Sequence, residues 1–252
     1  MRRVLGLYET SVGKKVLMAA TGLILFGFVV VHMLGNLKIF TGEAHFNAYA
    51  IFLRTVGEPA VPEEGLLWVF RVVLLACVGV HIVAALQVWL QSRGARSQKY
   101  RKNDDLSFSY ASRTMRWGGV IILAFVVFHL LHLTFGTVHP DFAGPGNENA
   151  VRVVAAEAPN PGHGGGVVHE YTNAYHNVVT GFQNVWVALA YVVAMVFLGL
   201  HIYHGVWSVT QTLSLTGSRI KRWRRPFAAA VATVVALGNI SIPLSILAGW
   251  VK

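Results

Sequence analysis

Five unbroken apolar stretches, each long enough to cross a bilayer, constrain this chain more than any other feature. They run over Val16–Phe40, Leu66–Leu90, Trp117–Val138, Val185–Leu213 and Phe227–Val251. A hydrocarbon core about 30 Å thick takes about 20 residues of helix to span. Backbone N–H and C=O groups in lipid must be satisfied within the segment, which leaves helix as the form these stretches adopt. The predicted fold is therefore all-α and integral to the membrane. It has five transmembrane helices in a single membrane domain over residues 1–252, with a long outer loop over 139–184. Composition agrees. Charged residues make up 13% of the chain, about half of the roughly 25% usual in soluble domains. The first stretch follows basic residues as a signal peptide would, but it is too long for one and no small-residue cleavage site follows. Pro243 in the fifth stretch is expected to bend its helix.

Charges between the stretches predict the orientation. Four basic residues (Arg2, Arg3, Lys14, Lys15) precede the first. Seven (Arg93, Arg96, Lys99, Arg101, Lys102, Arg113, Arg116) separate the second from the third. Five (Arg219, Lys221, Arg222, Arg224, Arg225) separate the fourth from the fifth. Sixteen of the 21 Lys and Arg thus fall on one side. The other loops lean acidic, with Glu43, Glu58, Glu63, Glu64, Asp141, Glu148, Glu157 and Glu170. By the positive-inside rule the N-terminus is cytoplasmic and the C-terminus outside, in a cell inner membrane. The net charge of +10 is then chiefly a topology signal. No soluble basic domain is present to take nucleic acid.

Cys77 is the single cysteine. That excludes an internal disulfide, an all-cysteine zinc or iron–sulfur site and a covalent CxxCH haem attachment. Any bound metal or cofactor must rely on other ligands, and the chain has 11 histidines. The outer-loop residues His139, His163, His169 and His176 share no ligand spacing and read as surface histidines. Six others, His32, His81, His129, His132, His201 and His204, lie inside apolar stretches, where polar side chains are costly and usually functional. Each of the first four spans carries at least one, and the fifth carries none. Four helices with one inward imidazole each provide two axial pairs, which is what two low-spin haems b require.

Depth suggests the pairing. At about 1.5 Å per residue, His32 lies roughly 9 Å and His129 roughly 15 Å from the outer ends of their spans. His81 and His201 each lie roughly 18 Å from the cytoplasmic ends of theirs. The expected outer pair is His32 with His129, and the inner pair His81 with His201. His132 and His204 follow at i+3 on the same helix faces and stand as alternatives. Gly35, Gly79, Gly199 and Gly205 flank these histidines and would let a flat macrocycle approach; ordinary small-residue helix packing also explains them.

Several segments together resemble a known family. They are Ser11-Val12-Gly13-Lys14-Lys15, His32-Met33-Leu34-Gly35-Asn36-Leu37, His81 with Arg93–Tyr100, His129-Leu130-Leu131-His132, His201-Ile202-Tyr203-His204-Gly205-Val206-Trp207-Ser208 and Gln211-Thr212-Leu213. In order and across nearly the whole chain they are similar to the single-chain dihaem cytochrome b anchors of succinate:quinone oxidoreductases, the succinate dehydrogenases and fumarate reductases. The resemblance implies a first-four-helix bundle around two haems b, a quinone, and a flavoprotein and an iron–sulfur subunit docked on the cytoplasmic side. It leaves a higher oligomer of the whole complex open. Carried over, His32 and His129 are the expected ligands of the outer haem and His81 and His201 of the inner one, with His132 and His204 as alternates or as hydrogen-bond donors to propionate or quinone. The chain lacks a nucleotide-binding glycine loop, so flavin chemistry belongs to the partner.

The haem propionates need cations. Lys14, Lys15, Arg93 and Arg113 are candidates at the inner end, and Arg71 near the outer one. Anionic lipid is a further partner for the basic loops. Quinone donors occur at both ends: Ser11, Lys14, Lys15 and Gln211 inside, and Asn36, His45, Glu63 and Glu64 outside. A second haem is needed chiefly if electrons cross the membrane, which favours the outer site. Menaquinone is the expected quinone. The absence of Asp and Glu from all five spans departs from family members with an intramembrane acid, and removes any carboxylate relay for protons. Three competing functions are the cytochrome b of a hydrogenase or formate dehydrogenase, which differs in reductant, a haem-free histidine-bearing transporter, which would show inverted repeats, and a haem-free structural anchor.

Overall fold

The structure, a computed structural model, describes residues 8–95, 110–139, 141–142, 144–146, 148–155, 167–215 and 217–252; side chains at 110–114, 154–155 and 167–168 are outside the description. Among the described residues, five helices have the length and hydropathy of membrane spans. Helix α1 covers Ser11–Asn36 and runs on into a 3-10 turn at Leu37–Thr41. Helix α2 is Glu43–Thr55, α3 Gly65–Gly94 and α4 Tyr110–His129, the last continuing as a π-turn over Leu130–Thr134. Helix α5 is Ala174–Gln183, α6 Val185–Thr212 and α7 Ser218–Leu247. The protein is thus an all-α, multi-pass membrane protein in its spanning part. A small antiparallel hairpin joins β1 (Val151–Ala155) to β2 (Val167–Tyr171), with Val153 opposite His169.

The spans differ from the apolar stretches at their basic ends. Helix α1 starts at Ser11 rather than Val16, and α7 at Ser218 rather than Phe227. Hydropathy stops at the first lysine or arginine. A helix does not, because long basic side chains carry their charge to the headgroups while their stems stay on the helix. Helix α7 also runs through Pro243, which is fully buried. Large apolar side chains stand exposed along the spans, among them Phe70, Leu75, Val120, Val127, Val234 and Leu237. In water such faces would aggregate; in lipid they are the solvent-matched surface.

Residues 1–34, 67–123 and 194–238 form one compact unit, and residues 35–66, 124–193 and 239–252 a second. In the first, helices approach through small residues. An added Cβ on Gly199 would meet Ala236 at 3.2 Å, and one on Gly118 would meet Phe197 at 3.6 Å. Close backbone approach of this kind holds helices together where lipid supplies no hydrophobic drive. The Tyr8 hydroxyl donates to Gln87 Oε1 at 2.8 Å, tying the start of α1 to the end of α3.

The second unit has a continuous apolar core of Ile39, Phe46, Val179, Phe182, Ala188, Tyr191, Ile242, Ile246 and Val251. Two elements here were read as loop: α2 and α5. A buried amide pair joins them. Asn47 Nδ2 donates to Asn173 Oδ1 at 2.9 Å, and Asn173 Nδ2 donates to Glu43 Oε1 at 2.8 Å. Asn47 Oδ1 accepts from the Tyr175 N–H, and Asn173 Oδ1 caps α5 by accepting from the His176 N–H. Each such bond contributes about 0.5–1.5 kcal/mol, and leaving one partner unpaired would cost more. Asn184 caps α6 in the same way, accepting from the N–H groups of Trp186 and Val187.

Candidate functional site

In the first unit, His81 of α3 faces α1. Its Nδ1 lies 3.1 Å from the Met18 carbonyl oxygen and 3.3 Å from Thr21 Oγ1. The Thr21 hydroxyl donates its proton to the Leu17 carbonyl at 2.9 Å, so it too presents a lone pair to the ring. Two acceptors at Nδ1 require the proton there, which leaves the lone pair on Nε2. This is how metal-binding histidines are oriented: one nitrogen donates to a carbonyl, and the other is presented to the ion. Gly22 makes the approach possible, since a Cβ on it would stand 3.2 Å from His81 Cε1.

His201 of α6 stands across from His81, with ring centroids 6.2 Å apart and planes at 56°. Two imidazoles binding opposite faces of one metal ion, each at about 2 Å through a nitrogen, have centroids roughly 6 Å apart. The pair has the spacing of a bis-imidazole site. His204, one turn on, packs edge-to-face on Trp207 at 5.5 Å instead. Four buried polar atoms of this unit have no hydrogen-bond partner among the described residues: His201 Nδ1, His204 Nδ1, Trp207 Nε1 and Arg224 Nε. The guanidinium carbons of Arg224 and Arg225 lie 5.8 and 5.1 Å from the Trp207 ring. Natural proteins seldom leave buried polar atoms unpaired, and the two that must carry a proton, Trp207 Nε1 and Arg224 Nε, suit a bound acceptor such as a carboxylate. Beside Gly205, on the His201 face, no described atom lies within 4 Å of an added Cβ, and Gly79 is likewise open.

The second unit is arranged differently. His129 and His132 both turn toward the Tyr191 hydroxyl of α6, their Nδ1 atoms at 3.1 and 2.8 Å. The π-turn that begins after His129 widens the helix there, and π-turns frequently mark functional sites. His132 is completely buried, packed among Phe128, Phe142, Phe182 and Tyr191. A Cβ on Gly181 would fall 2.6 Å from its Nε2. With Nδ1 bonded and Nε2 against the α5 backbone, His132 has no face open to a metal. His139, read as a surface histidine, stacks on Phe142 and lies 5.1 Å from the His132 ring, so that reading is corrected. Among the described residues no three His, Cys, Asp or Glu side chains are grouped to hold a bare metal ion; the histidines assemble in pairs.

The other expected residues divide as follows. His32 belongs to the first unit, stacked on Phe28 at 5.2 Å, and His129 to the second. Lys14 is buried with its ammonium 5.8 Å from the Tyr8 ring, whereas Lys15, Ser11, Arg93 and Gln211 are exposed. Arg93 lies over Trp89 and Arg71 over Trp68, at 5.1 and 4.8 Å, in cation–π contacts. The side chain of Arg113 and the whole of His163 lie outside the described residues. The space beside Gly35 is filled by Tyr49, whose Cε1 would lie 2.6 Å from an added Cβ. Glu64 pairs with Arg54 at 3.3 Å, and Glu63 accepts a hydrogen bond from Tyr171. Burial foremost, then the nearby Glu63 and Glu58 carboxylates, push the Tyr171 hydroxyl pKa up. Asn36 ends α1, and His45 is exposed on α2. These two glutamates are therefore engaged within the loop structure itself.

Sequence reasoning missed Thr21, Gly22, Gly181, Tyr191, Trp207 and Arg224. Tyr191 carried a signal: a phenol in the middle of an apolar span needs a partner for its hydroxyl. Comparison of the chain with protein-family models, curated proteins and solved structures found no match. What fold and site define is a class: a five-span membrane protein with two imidazoles opposed between helices.

Proposed function

We propose that the chain is the dihaem cytochrome b anchor of a succinate:quinone oxidoreductase, carrying electrons between an iron–sulfur subunit and a quinone, menaquinone by preference. The observation that carries the haem reading is the opposed pair His81–His201, at bis-imidazole spacing and with the His81 tautomer held by Met18 and Thr21. In this reading His81 and His201 hold one haem. For the other haem the sequence expectation is kept, His32 and His129, by their depth in the spans alone. When bound, haem supplies a one-electron carrier.

The chain's own residues do the rest. Thr21 and the Met18 carbonyl keep a proton on His81 Nδ1. Trp207 Nε1–H and Arg224 Nε–H, buried without a partner among the described residues, would serve the carboxylates of a bound haem, and the buried Lys14 side chain would add positive charge in the same unit. The apolar spans exclude water. Succinate and fumarate chemistry takes place on the flavoprotein partner. The basic segments before α1, between α3 and α4, and before α7 dock the soluble subunits on the cytoplasmic face and attract anionic lipid. The quinone site is assigned to the outer end, since two haems in series serve transfer across the membrane.

The test is a reduced-minus-oxidised visible spectrum with a pyridine haemochrome assay on the purified full chain. Two haems b per chain are expected. None would leave the histidines to a transporter or a purely structural anchor. Haem reducible by hydrogen or formate partners, and not by succinate, would move the chain to those dehydrogenases.

A further inference from the structure

At the basic ends of α3 and α4, in the first unit, two guanidiniums from different helices converge on one indole. The Arg93 guanidinium carbon lies 5.1 Å from the Trp89 ring, and that of Arg116 5.9 Å. Cation–π attraction holds each to the ring, but the two like charges repel one another. Among the described residues neither pairs with a carboxylate. Both arginines are exposed, so an anion can reach them and relieve that repulsion.

What adjoins the arginines says which anion. On α3, Leu86 and Leu90 stand seven and three residues before Arg93; on α4, Val120 and Leu123 stand four and seven after Arg116. These spacings put each set on one helix face together with its arginine. All four side chains are exposed, and each apolar stripe runs about 10 Å from its arginine. Trp117, next to Arg116, is 73% exposed, and exposed indoles gather at headgroup depth. Two apolar stripes that end at a shared pair of guanidiniums have the form of a phospholipid: acyl chain along the stripe, phosphate at the cations. Guanidinium also meets phosphate oxygens with two parallel hydrogen bonds.

The α6–α7 corner of the same unit repeats the grouping with Trp207, Arg224 and Arg225. There Trp207 Nε1 and Arg224 Nε are buried, which suits a ligand enclosed by the unit. At Trp89 the cations are open and stand over lipid-facing side chains, which suits a ligand arriving from the bilayer. We infer that Trp89, Arg93 and Arg116 form a binding site for the phosphate group of an anionic phospholipid. The site is independent of the haem reading, and it takes Arg93 out of the set that would serve a haem carboxylate.

The test is native mass spectrometry of the purified full chain, titrated with phosphatidylglycerol and, separately, with phosphatidylcholine. One phosphatidylglycerol should be retained in preference to phosphatidylcholine. Arg93→Gln and Arg116→Gln should each weaken it by about fivefold, and the double variant by about 25-fold. Arg93→Lys, which keeps the charge and loses the paired hydrogen bonds, should fall between wild type and Arg93→Gln. Lys221→Gln, the same loss of charge at an exposed position on α7, should leave retention unchanged. Equal weakening by Lys221→Gln would reduce the effect to diffuse surface charge and overturn the site, as would unchanged retention in the double variant. Haem content, read by pyridine haemochrome, should be the same in the double variant as in wild type; loss of haem there would return Arg93 to a haem carboxylate. Loss of binding to a purified iron–sulfur subunit, with lipid retention intact, would make this corner a protein-docking surface instead. A wild-type chain without haem that still retains the lipid would fail the cytochrome reading and leave the lipid site standing.

Discussion

The two compact units use buried histidine in opposite ways. In the first, His81 and His201 come from different helices and oppose one another at 6.2 Å, and one of them is oriented by backbone and hydroxyl acceptors. In the second, His129 and His132 come from one helix, share one phenol, and one of them is sealed in an aromatic cluster. An i+3 pair of histidines looks the same in sequence in both places, His129–His132 and His201–His204. What separates them is the neighbour. Trp207 takes the ring of His204 edge-on, while Gly181 and Tyr191 close both nitrogens of His132.

The largest expected effect tests the first half of that contrast. His81→Ala or His201→Ala should reduce haem content from two per chain to one, read by pyridine haemochrome. His204→Ala should leave it at two. Equal loss in His201→Ala and His204→Ala would dissolve the distinction between facing and packing imidazoles.

Next in size is the same comparison in the second unit. His129→Ala should cost one haem. His132→Ala should keep both while lowering thermal stability, because it opens a cavity in the aromatic cluster and removes one hydrogen bond at Tyr191, worth about 0.5–1.5 kcal/mol. A stable His132→Ala protein with one haem would refute the closure argument.

Two glycines give a smaller effect. Gly181→Ala puts a methyl 2.6 Å from His132 Nε2, and overpacking of this kind costs about 1–3 kcal/mol. Gly22→Ala meets His81 Cε1 at 3.2 Å, a contact that a small shift relieves. Melting should fall more for Gly181→Ala, whereas Gly22→Ala should be seen mainly in the spectrum of the His81–His201 haem. The opposite order would show that the first unit is the tighter of the two.

The smallest effect is expected away from both clusters. In the hairpin, the Gly146 N–H and then Arg152 hold the Glu170 carboxyl below its ordinary pKa. A carboxyl lowered on folding stabilises above its ordinary value and loses that contribution as pH falls through the lowered one. The effect of Arg152→Gln on the hairpin should therefore be full above about pH 4.5 and fade as pH falls below it, and the variant should leave haem content and melting of the spans alone. A change in either haem would tie the hairpin to the sites.

How much of this was legible beforehand follows from particular residues. Hydropathy placed all five spans because membrane insertion is a sum over about 20 side chains and tolerates local detail. It misplaced their basic ends, since helix geometry continues past Lys14 and Arg219 where apolar character does not. It overlooked α2 and α5, which are too short to be read as spans and are joined by Asn47 and Asn173, a pair 126 residues apart. Of the expected site residues, His81 and His201 came together. Glu63 and Glu64 were engaged by Tyr171 and Arg54, and Gly35 by Tyr49.

The sequence alone determined five stretches long and apolar enough to cross a membrane, which loops carry the positive charge, and that histidines lie inside four of those stretches. Those are properties of composition and spacing, and they survive any packing of the helices. Only tertiary structure decided what each imidazole of the i+3 pairs touches: His201 faces His81 and His204 packs on Trp207, while His129 and His132 share Tyr191 and His132 is enclosed. Those contacts depend on a π-turn after His129, on the missing side chains of Gly22 and Gly181, and on the Tyr191 hydroxyl. All are contacts between residues distant in the chain, where a few tenths of an ångström decide whether a ring nitrogen is presented or closed.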